Sequence, residues 1–329
     1  MPYDPRLSAL IELTDQEWGD PTENAKNLVY YGLNYVDQAL FGIDMVRGEL
    51  IGIQAEAKMR KSTLLANIVL NVAASKRFWL CIDTLESGMP PSAYRDVLIS
   101  ITATRLLISK VFGSSRKEWP KYEDMIYHPE LKNELRISKE FLWYKSRSEI
   151  QQQCINAAKI YLSTLPIMIF GPAPNQGGAR DLQKTMDRWD QLYYGNYPES
   201  LGCRVQIFAC DHIQQIGGFG DNDYSKMEAA VGSYSGFITT HTGTCIIAVS
   251  QLGVGSVRLE RQGIARGMAK GGAKLEAECN VLFRTKYSTN DPANVYISLD
   301  ATRRSPPPPI RQELDPCSGA FLRPASRVS

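Results

Sequence analysis

Short apolar runs of strand length alternate with helix-like runs along most of this 329-residue chain, and this alternation constrains its fold more than any other feature. The predicted strands are residues 49–55, 77–84, 165–170, 205–211, 245–251, 281–287 and 294–301. Strands that are apolar throughout and separated by helices pair in parallel, with helices covering both faces of the sheet. We therefore expect an α/β fold with a mostly parallel, twisted sheet flanked by helices.

The same pattern suggests how the chain is organised. Residues 1–30 are predicted to be an N-terminal arm or linker, residues 31–322 form the α/β domain, and residues 323–329 are predicted to be a disordered tail. The stretch 105–160 interrupts the alternation and is interpreted as a helical insertion. One of its helices is expected to place four residues in one stripe along a single side of the helix, namely Ile150, Cys154, Ala157 and Tyr161.

The composition is that of an ordinary globular protein, with 43% hydrophobic and 22% charged residues. No apolar stretch approaches the ~18 residues that span a bilayer, and the N-terminus lacks the layout of a secretory signal, so a soluble cytoplasmic protein without a membrane partner is expected. The seven cysteines form no CxxC pair, which argues against a zinc site. Those in apolar runs are expected to be buried. With a net charge of +2, nucleic-acid binding would require local basic clusters.

Residues 55–63 have the setting of a phosphate-binding loop. They follow a predicted strand, precede a helix with one apolar face, and end in Lys61-Ser62-Thr63. Backbone amides at a helix N-terminus lack intrahelical partners and carry partial positive charge, so they suit phosphate groups. Lys61 is expected to reach the β- and γ-phosphates of ATP, and the Ser62 hydroxyl to ligate Mg²⁺.

This loop departs from the usual motif at both of its glycines, because Ala55 stands at the first and Arg60 at the second. A side chain at position 60 is expected to be tolerated only if φ is negative and the side chain points away or bonds phosphate. The alternative interpretation is a chance Lys-Ser-Thr sequence at the start of a helix.

Polar residues stand at the ends of three other predicted strands. Asp211 occupies the position of a carboxylate that holds Mg²⁺ through water, although a plain strand-end cap is the alternative. Glu86 is a candidate general base for the attacking water, with Asp83 as a competing candidate and a solvated loop glutamate as the alternative. Gln251 is a candidate sensor of the γ-phosphate.

These motifs, in this order, resemble those of DnaB-type replicative helicases and their phage relatives. The resemblance covers about residues 31–322, diverges over 105–160, and rests on the segments 32–50, 58–63, 84–86, 211–214, 248–252, 272–280 and 315–321. It implies a RecA-like P-loop ATPase core that uses ATP and Mg²⁺ and acts on single-stranded DNA in the cytoplasm of a bacterial or phage-infected cell. It also implies a homo-oligomer, by resemblance a hexameric ring, with a primase or a helicase loader as partner.

The resemblance also assigns individual roles. The ATP-binding residues would be Ala55, Met59, Arg60, Lys61, Ser62, Thr63, Arg95 and Asp211. The catalytic residues would be Glu86, Gln251 and Arg304, the last acting on the ATP of a neighbouring subunit. Two features depart from the family. Thr302 replaces a lysine that the family often has near this arginine, and residues 1–30 are too short for the large N-terminal helical domain of the bacterial members.

A basic, glycine-rich segment follows Gln251 and suits tracking of a phosphate backbone without base readout. Its candidate DNA-binding residues are Arg258, Arg261, Arg266, Lys270 and Lys274. It has no aromatic residue for base stacking, and an ordinary solvated loop is the alternative interpretation. The loop 216–230 carries Phe219 and Tyr224 but little positive charge, so it is the weaker candidate.

Three functional hypotheses follow from the sequence. The first is a ring-shaped helicase or translocase motor on single-stranded DNA. The second is a RecA-like recombination or mediator ATPase that binds DNA without unwinding it. The third is a P-loop scaffold or loader subunit with impaired hydrolysis, which Arg60 and Thr302 favour. Directional unwinding distinguishes the first two, and ATP turnover distinguishes the third.

Overall fold

The computed structural model describes most of the predicted α/β region. The residues it describes are 28–31, 40, 42–57, 60–85, 89–112, 137–138, 142, 148–171, 180–197, 202–217, 222–252, 273–287, 295–302, 310–314 and 326–327. Within these ranges, none of the helices is long and apolar enough to cross a membrane. Cys210 and Cys245, which lie in apolar runs, are fully buried as expected.

Thirteen strands occur in the described residues. In chain order they are β1 (Leu28–Val29), β2 (Ile43–Asp44), β3 (Glu49–Ala55), β4 (Trp79–Thr84), β5 (Ile167–Phe170), β6 (Arg180–Asp181), β7 (Val205–Asp211), β8 (Ile216–Gly217), β9 (Cys245–Gln251), β10 (Val281–Tyr287), β11 (Val295–Thr302), β12 (Ile310–Leu314) and β13 (Ser326–Arg327).

Nine of these strands form one sheet in the order β13-β12-β11-β10-β3-β9-β7-β4-β5. The run from β10 to β5 is parallel throughout. The other three strands extend the sheet in antiparallel fashion beyond β10. The predicted mostly parallel sheet is thus confirmed, and β3, β9 and β7 lie side by side near its middle.

Six α-helices occur in the same part of the chain. They are α1 (Lys61–Ala74), α2 (Pro91–Phe112), α3 (Glu149–Ser163), α4 (Leu182–Tyr193), α5 (Asp223–Thr240) and α6 (Ala273–Glu278). Local sequence explains where several of them begin. Ser148 and Gln151 form a capping box at α3, Asn222 and Ser225 form one at α5, and the Asp181 carboxylate accepts a hydrogen bond from the Gln183 amide at α4.

The two faces of the sheet are covered by different helices, and side chains alternate between them along each strand. Ile207 and Ala209 of β7 join the apolar cluster that contains the buried residues of α1 and the first half of α2. Phe208 and Cys210 join the cluster that contains those of α4, α5 and α6. We refer to these sides as the α1 face and the α4 face.

The prediction of which residues form the packed side of α3 is wrong, because the buried residues lie on a neighbouring side of the helix. Of the four predicted residues only Cys154 is buried, while Ile150 and Tyr161 are each 39% exposed. The residues of α3 that are buried are Gln151, Cys154, Ile155 and Ala158. The apolar ones among them pack against Ile99, Ala103 and Leu107 of α2, so the partner helix selects the buried side.

The C-terminal edge also differs from expectation. Ser326 and Arg327, inside the segment predicted to be a disordered tail, pair with Ile310 and Arg311 of β12. The tail prediction is therefore wrong for these two residues. An edge strand offers a row of unpaired backbone groups, and a following segment can bind there whatever its side chains are.

A buried ionic cluster, which the sequence does not reveal, joins α6 to the centre of the sheet. Arg284 of β10 is 0% exposed and forms ion pairs with Glu276 of α6 at 2.8 Å and Asp300 of β11 at 2.9 Å. Its guanidinium also donates to the Gln54 side chain of β3 at 3.4 Å. The helix that follows the basic segment is thereby linked to the strand that leads into residues 55–63.

Candidate active site

The start of α1 is built to receive an anion. Its N-terminal amides donate no hydrogen bond to the side chain of the N-cap residue Arg60, and its first turn contains no acidic residue. Lys61 is the first residue of the helix and is only 9% exposed, and its Nζ donates to the Glu56 carbonyl oxygen at 3.1 Å. Ser62 and Thr63 follow in the same turn and are half-buried. The partial positive charge of this helix end is therefore available to a phosphate.

Arg60 precedes this helix in the left-handed conformation, with φ 59° and ψ 26°. The expectation that a side chain here requires a negative φ is therefore wrong. The turn from β3 into α1 keeps the left-handed geometry that a glycine would adopt freely, and arginine adopts it at a cost of ~1–2 kcal/mol. Ala55 ends β3 and is fully buried, whereas Met59 lies outside the described residues.

Asp211 ends β7 on the α1 face, because it follows Ala209 by two residues. Its side chain is 1% exposed, and it pairs in register with Thr84, the last residue of β4. The Thr84 hydroxyl donates to the Phe170 carbonyl oxygen at 3.1 Å, so β4, β5 and β7 are joined at this edge. A carboxylate here and a serine hydroxyl at the start of α1 are the hard oxygen donors that Mg²⁺ prefers.

Gln251 ends β9, the strand between β3 and β7. It pairs in register with Ala55, and it also faces the α1 side because Val249 does. The side chain of His212 holds it, with Nε2 at 3.4 Å from the Gln251 Oε1. The Gln214 amide donates to the Gln251 carbonyl oxygen at 3.0 Å and to the Ser250 hydroxyl at 2.7 Å. Residues just after β7 thus fix the end of β9.

Asp83, the competing candidate for the general base, lies on the α4 face. Its carboxylate accepts hydrogen bonds from Arg188 and from the Trp189 indole, the latter at 2.6 Å. It is 0% exposed, and both partners belong to α4. The carboxylate is therefore engaged in joining α4 to β4, on the opposite side of the sheet from Lys61. Glu86 lies outside the described residues, which end at Leu85 in this part of the chain.

Arg95 is exposed on α2, and its guanidinium lies 3.5 Å from the Asp96 carboxylate. Both residues line a cavity of about 490 Å³ between α2 and α3, together with Lys159. The predicted role of Arg95 in ATP binding stays a prediction.

The predicted DNA contacts fall mostly outside the described residues, which include Lys274 but not Arg258, Arg261, Arg266 or Lys270. Lys274 of α6 is half-buried, and its Nζ lies close to Gly232 of α5. A Cβ atom added at position 232 would be 3.4 Å from this nitrogen. Arg304 also lies outside the described residues. The sequence did not single out Tyr94, a buried residue of α2, where burial and after it the negative charge of Asp211 raise the pKa of the phenol well above its ordinary value.

The comparisons with known proteins support the fold. No family model matches the chain, and no curated protein does. The chain is similar in structure to the ATPase domain of another protein, with a TM-score of 0.67, 15% identity, and coverage of 96% of this chain and 97% of that one. It is also similar to a DnaB-like replicative helicase solved in a study of its interactions with primase, with a TM-score of 0.68, 15% identity, and coverage of 98% and 67%. The RecA-like fold that the resemblance implied is confirmed.

Proposed function

We propose that this chain is an ATP-dependent motor that moves along single-stranded DNA and unwinds duplex DNA during replication. One observation carries the proposal. The start of α1, with Lys61, and the strand-end residues Asp211 and Gln251 lie on the same face of three adjacent strands. That arrangement suits a nucleoside triphosphate whose γ-phosphate is held and sensed at the sheet edge.

The described residues fit ATP and Mg²⁺. Lys61 exchanges its contact with the Glu56 carbonyl for phosphate oxygens, and the amides at the start of α1 cradle the same group. Mg²⁺, when bound with ATP, neutralises charge that develops on the phosphates during transfer. The Ser62 hydroxyl and the Asp211 carboxylate would hold the ion, with Asp211 acting through water. Gln251, oriented by His212, is in a position to lose a hydrogen bond when the γ-phosphate leaves.

The remaining parts of the motor are proposed from the sequence. Glu86 serves as the general base, and Arg304 stabilises transition-state charge in a neighbouring subunit of a homo-oligomeric ring, by resemblance a hexamer. Arg258, Arg261, Arg266, Lys270 and Lys274 contact the DNA backbone. The ion pair between Glu276 and Arg284 ties α6, the helix that follows these DNA-contacting residues, to β10, and β10 pairs with β3. This connection provides a physical link between the proposed DNA and nucleotide sites.

The DnaB-like neighbour was solved in a study of its interactions with primase, and a primase or a loader is proposed as a partner here too.

The experiment that tests this proposal measures ATP hydrolysis with and without single-stranded DNA, and unwinding of a forked duplex. Wild-type protein is expected to show DNA-stimulated hydrolysis and unwinding, and Lys61→Ala is expected to lose both. Lys58→Ala, three residues earlier in the same loop, is the matched control and should retain hydrolysis. Wild-type rates in Lys61→Ala would contradict the nucleotide site, whereas hydrolysis without unwinding would favour a recombination-type ATPase.

A second candidate function is a scaffold or loader subunit that binds nucleotide without turning it over. The observation that favours it is the left-handed backbone of Arg60, at a position where the usual loop has glycine. Wild-type protein that binds ATP with Mg²⁺ but hydrolyses none, with or without DNA, would support this candidate over the motor.

A further inference from the structure

Three fully buried polar side chains form a row across the middle of the sheet. Arg284 of β10 pairs in register with Gln54 of β3, and Gln54 pairs in register with Ser250 of β9. Each of the three residues is 0% exposed. Leu282 and Ala248, which lie two positions earlier on β10 and β9, belong to the apolar cluster of the α4 face. The polar row therefore lies on the α4 face, at the end of strands whose preceding side chains on that face are apolar.

Arg284 fixes the orientation of the Gln54 amide. Its Nη2 donates to the Gln54 Oε1 at 3.4 Å and to the Glu276 Oε1 of α6 at 2.8 Å. A guanidinium has only donors, so the oxygen of the Gln54 amide has to face it. The Gln54 Nε2 makes no hydrogen bond with any residue in the described part of the chain. Leaving a buried donor unpaired destabilises a fold, so this nitrogen requires an acceptor in some state of the protein.

Ser250 is the acceptor that the polar row offers. Since β3 lies between β10 and β9, Ser250 follows Gln54 on the side away from Arg284. Adjacent strands are about 4.8 Å apart, a separation that a glutamine side chain can bridge. The Ser250 Oγ accepts from the Gln214 Nε2 at 2.7 Å, and its proton is directed at the Met227 sulfur at 4.0 Å. A hydroxyl oxygen has two lone pairs, so one of them is available to Gln54.

Both ends of the polar row reach parts of the proposed motor. The Gln214 amide that bonds Ser250 also donates to the carbonyl oxygen of Gln251, the proposed sensor of the γ-phosphate, at 3.0 Å. At the other end, Glu276 belongs to α6, which follows the basic segment. In sequence, this segment, residues 253–272, begins just after Gln251 and ends where α6 starts. The row is thus a second connection between the two ends of the segment.

We infer that Gln54 couples DNA binding to ATP hydrolysis. Binding of single-stranded DNA to the basic segment shifts α6 and Arg284, and the Gln54 amide nitrogen gains the Ser250 hydroxyl as its acceptor. A continuous chain of hydrogen bonds then runs from Glu276 to the backbone of Gln251. Gln54 is a positioning residue that touches neither the DNA nor the nucleotide. The inference rests on the proposed function, because it requires Gln251 at the γ-phosphate and DNA on the basic segment.

The test measures ATP turnover with and without saturating single-stranded DNA, together with DNA affinity and the melting temperature of the full chain. Gln54→Met keeps the length of the side chain and removes the amide. DNA stimulation of turnover is expected to fall by about fivefold or more, the size of a typical coupling between two sites, while DNA affinity stays close to wild type. Gln206→Met is the matched control. Its amide donates to the Gly243 carbonyl oxygen at 3.3 Å near the amino end of β7, and its stimulation should match wild type.

Ser250→Ala tests the same hydrogen bond from the neighbouring strand. It removes the acceptor and is expected to reduce DNA stimulation to a similar extent, so it also replaces Gln54→Met if that variant does not fold. The double variant should lose no more stimulation than either single variant, because both substitutions remove one shared contact. A purely structural role of Gln54 would instead lower the melting temperature and leave the stimulation ratio unchanged.

The possible outcomes separate this inference from the proposed function. Wild-type protein that hydrolyses no ATP or binds no single-stranded DNA would overturn the proposed function and the inference with it. Wild-type stimulation that persists in folded Gln54→Met or Ser250→Ala protein would overturn the inference alone. An equal loss in Gln206→Met, a loss of DNA affinity in Gln54→Met or additive losses in the double variant would also overturn it, because the row would then not act as one connection between two intact sites.

Discussion

Two aspartates lie at the carboxyl ends of adjacent strands of the same sheet, and their surroundings differ completely. Asp83 of β4 lies on the α4 face, where Arg188 and Trp189 donate to its carboxylate. Asp211 of β7 lies on the α1 face, the side on which α1 begins with Lys61. The two residues are almost equally buried, at 0% and 1% exposed. Burial and strand-end position are therefore shared, and the difference between them is the face.

This difference explains how one sheet edge can hold both a structural carboxylate and one that is proposed to be functional. Side chains alternate along a strand, so a shift of one residue moves a carboxylate from one helix layer to the other. Asp83 is the next-to-last residue of its strand and Asp211 is the last residue of its own. The role of a carboxylate then depends on the helix layer that it faces. One layer presents the basic and aromatic side chains of α4, and the other presents the amides at the start of α1.

The largest expected effect is that of Asp211→Asn on catalysis. The substitution keeps the shape of the side chain and removes the charge that is proposed to hold Mg²⁺ through water. ATP hydrolysis, measured as phosphate release, is expected to fall by about 10³-fold, as for loss of a preorganised electrostatic group. The free energy of unfolding of the nucleotide-free protein should change less than in Asp83→Asn. Near wild-type turnover would break the comparison, because Asp211 would then be only a strand-end cap.

Asp83→Asn is expected to give the opposite result. The guanidinium of Arg188, whose side chain is 15% exposed, would lose its counter-charge. Breaking one side of such a buried pair costs about 3 kcal/mol of unfolding free energy. Urea denaturation measures this, and Asp187→Asn, elsewhere on α4, is the control with a change within ~0.5 kcal/mol. Hydrolysis per folded molecule should stay close to wild type. A large catalytic loss without a loss of stability would reverse the assignment of the two faces.

Glu86→Gln sharpens the comparison at the end of β4. If Glu86 is the general base, ATP binding should persist while single-turnover hydrolysis slows by about 10²-fold, the usual effect of losing a positioned base. The motivating observation is that Asp83, the other carboxylate at this strand end, is already bonded by α4. The base would be reassigned if Asp83→Asn lost hydrolysis to that extent and Glu86→Gln lost none.

Much of the fold follows from the sequence, because strand length and apolar character are local properties. The bounds of β3, β7, β9 and β10 agree with the apolar runs from which they were predicted. The same runs indicate which residues end the strands, and parallel strands bring those ends to one edge. The sequence therefore predicts Lys61, Asp211 and Gln251 as site residues without knowledge of any contact, and strand order and alternation place them on the same face of the sheet.

Features that depend on partners distant in sequence could not be predicted in this way. The buried side of α3 is set by α2, so the spacing of apolar residues gave a stripe of which only Cys154 is buried. Asp83 became a candidate base because its partner Arg188 is 105 residues away along the chain. In each case the deciding contact joins two elements whose separation is fixed only by the folded sheet.

The smallest expected effect concerns the two ends of α1, where two non-glycine residues have positive φ. Arg60 precedes the helix at φ 59°, and Lys76 follows it at φ 54°. Glycine adopts this conformation without strain, so Arg60→Gly and Lys76→Gly should each raise the free energy of unfolding by about 1 kcal/mol.

Only Arg60 lies at the proposed phosphate site. If its side chain contributes to phosphate binding, Arg60→Gly should weaken ATP binding several-fold, while Lys76→Gly leaves it unchanged. If Arg60 only impairs the loop, as in a scaffold subunit, Arg60→Gly should instead increase turnover. Thermal unfolding, ATP titration and a hydrolysis assay measure these quantities. Equal ATP affinity and turnover in all three proteins would show that the left-handed arginine is a purely conformational feature of the α1 face.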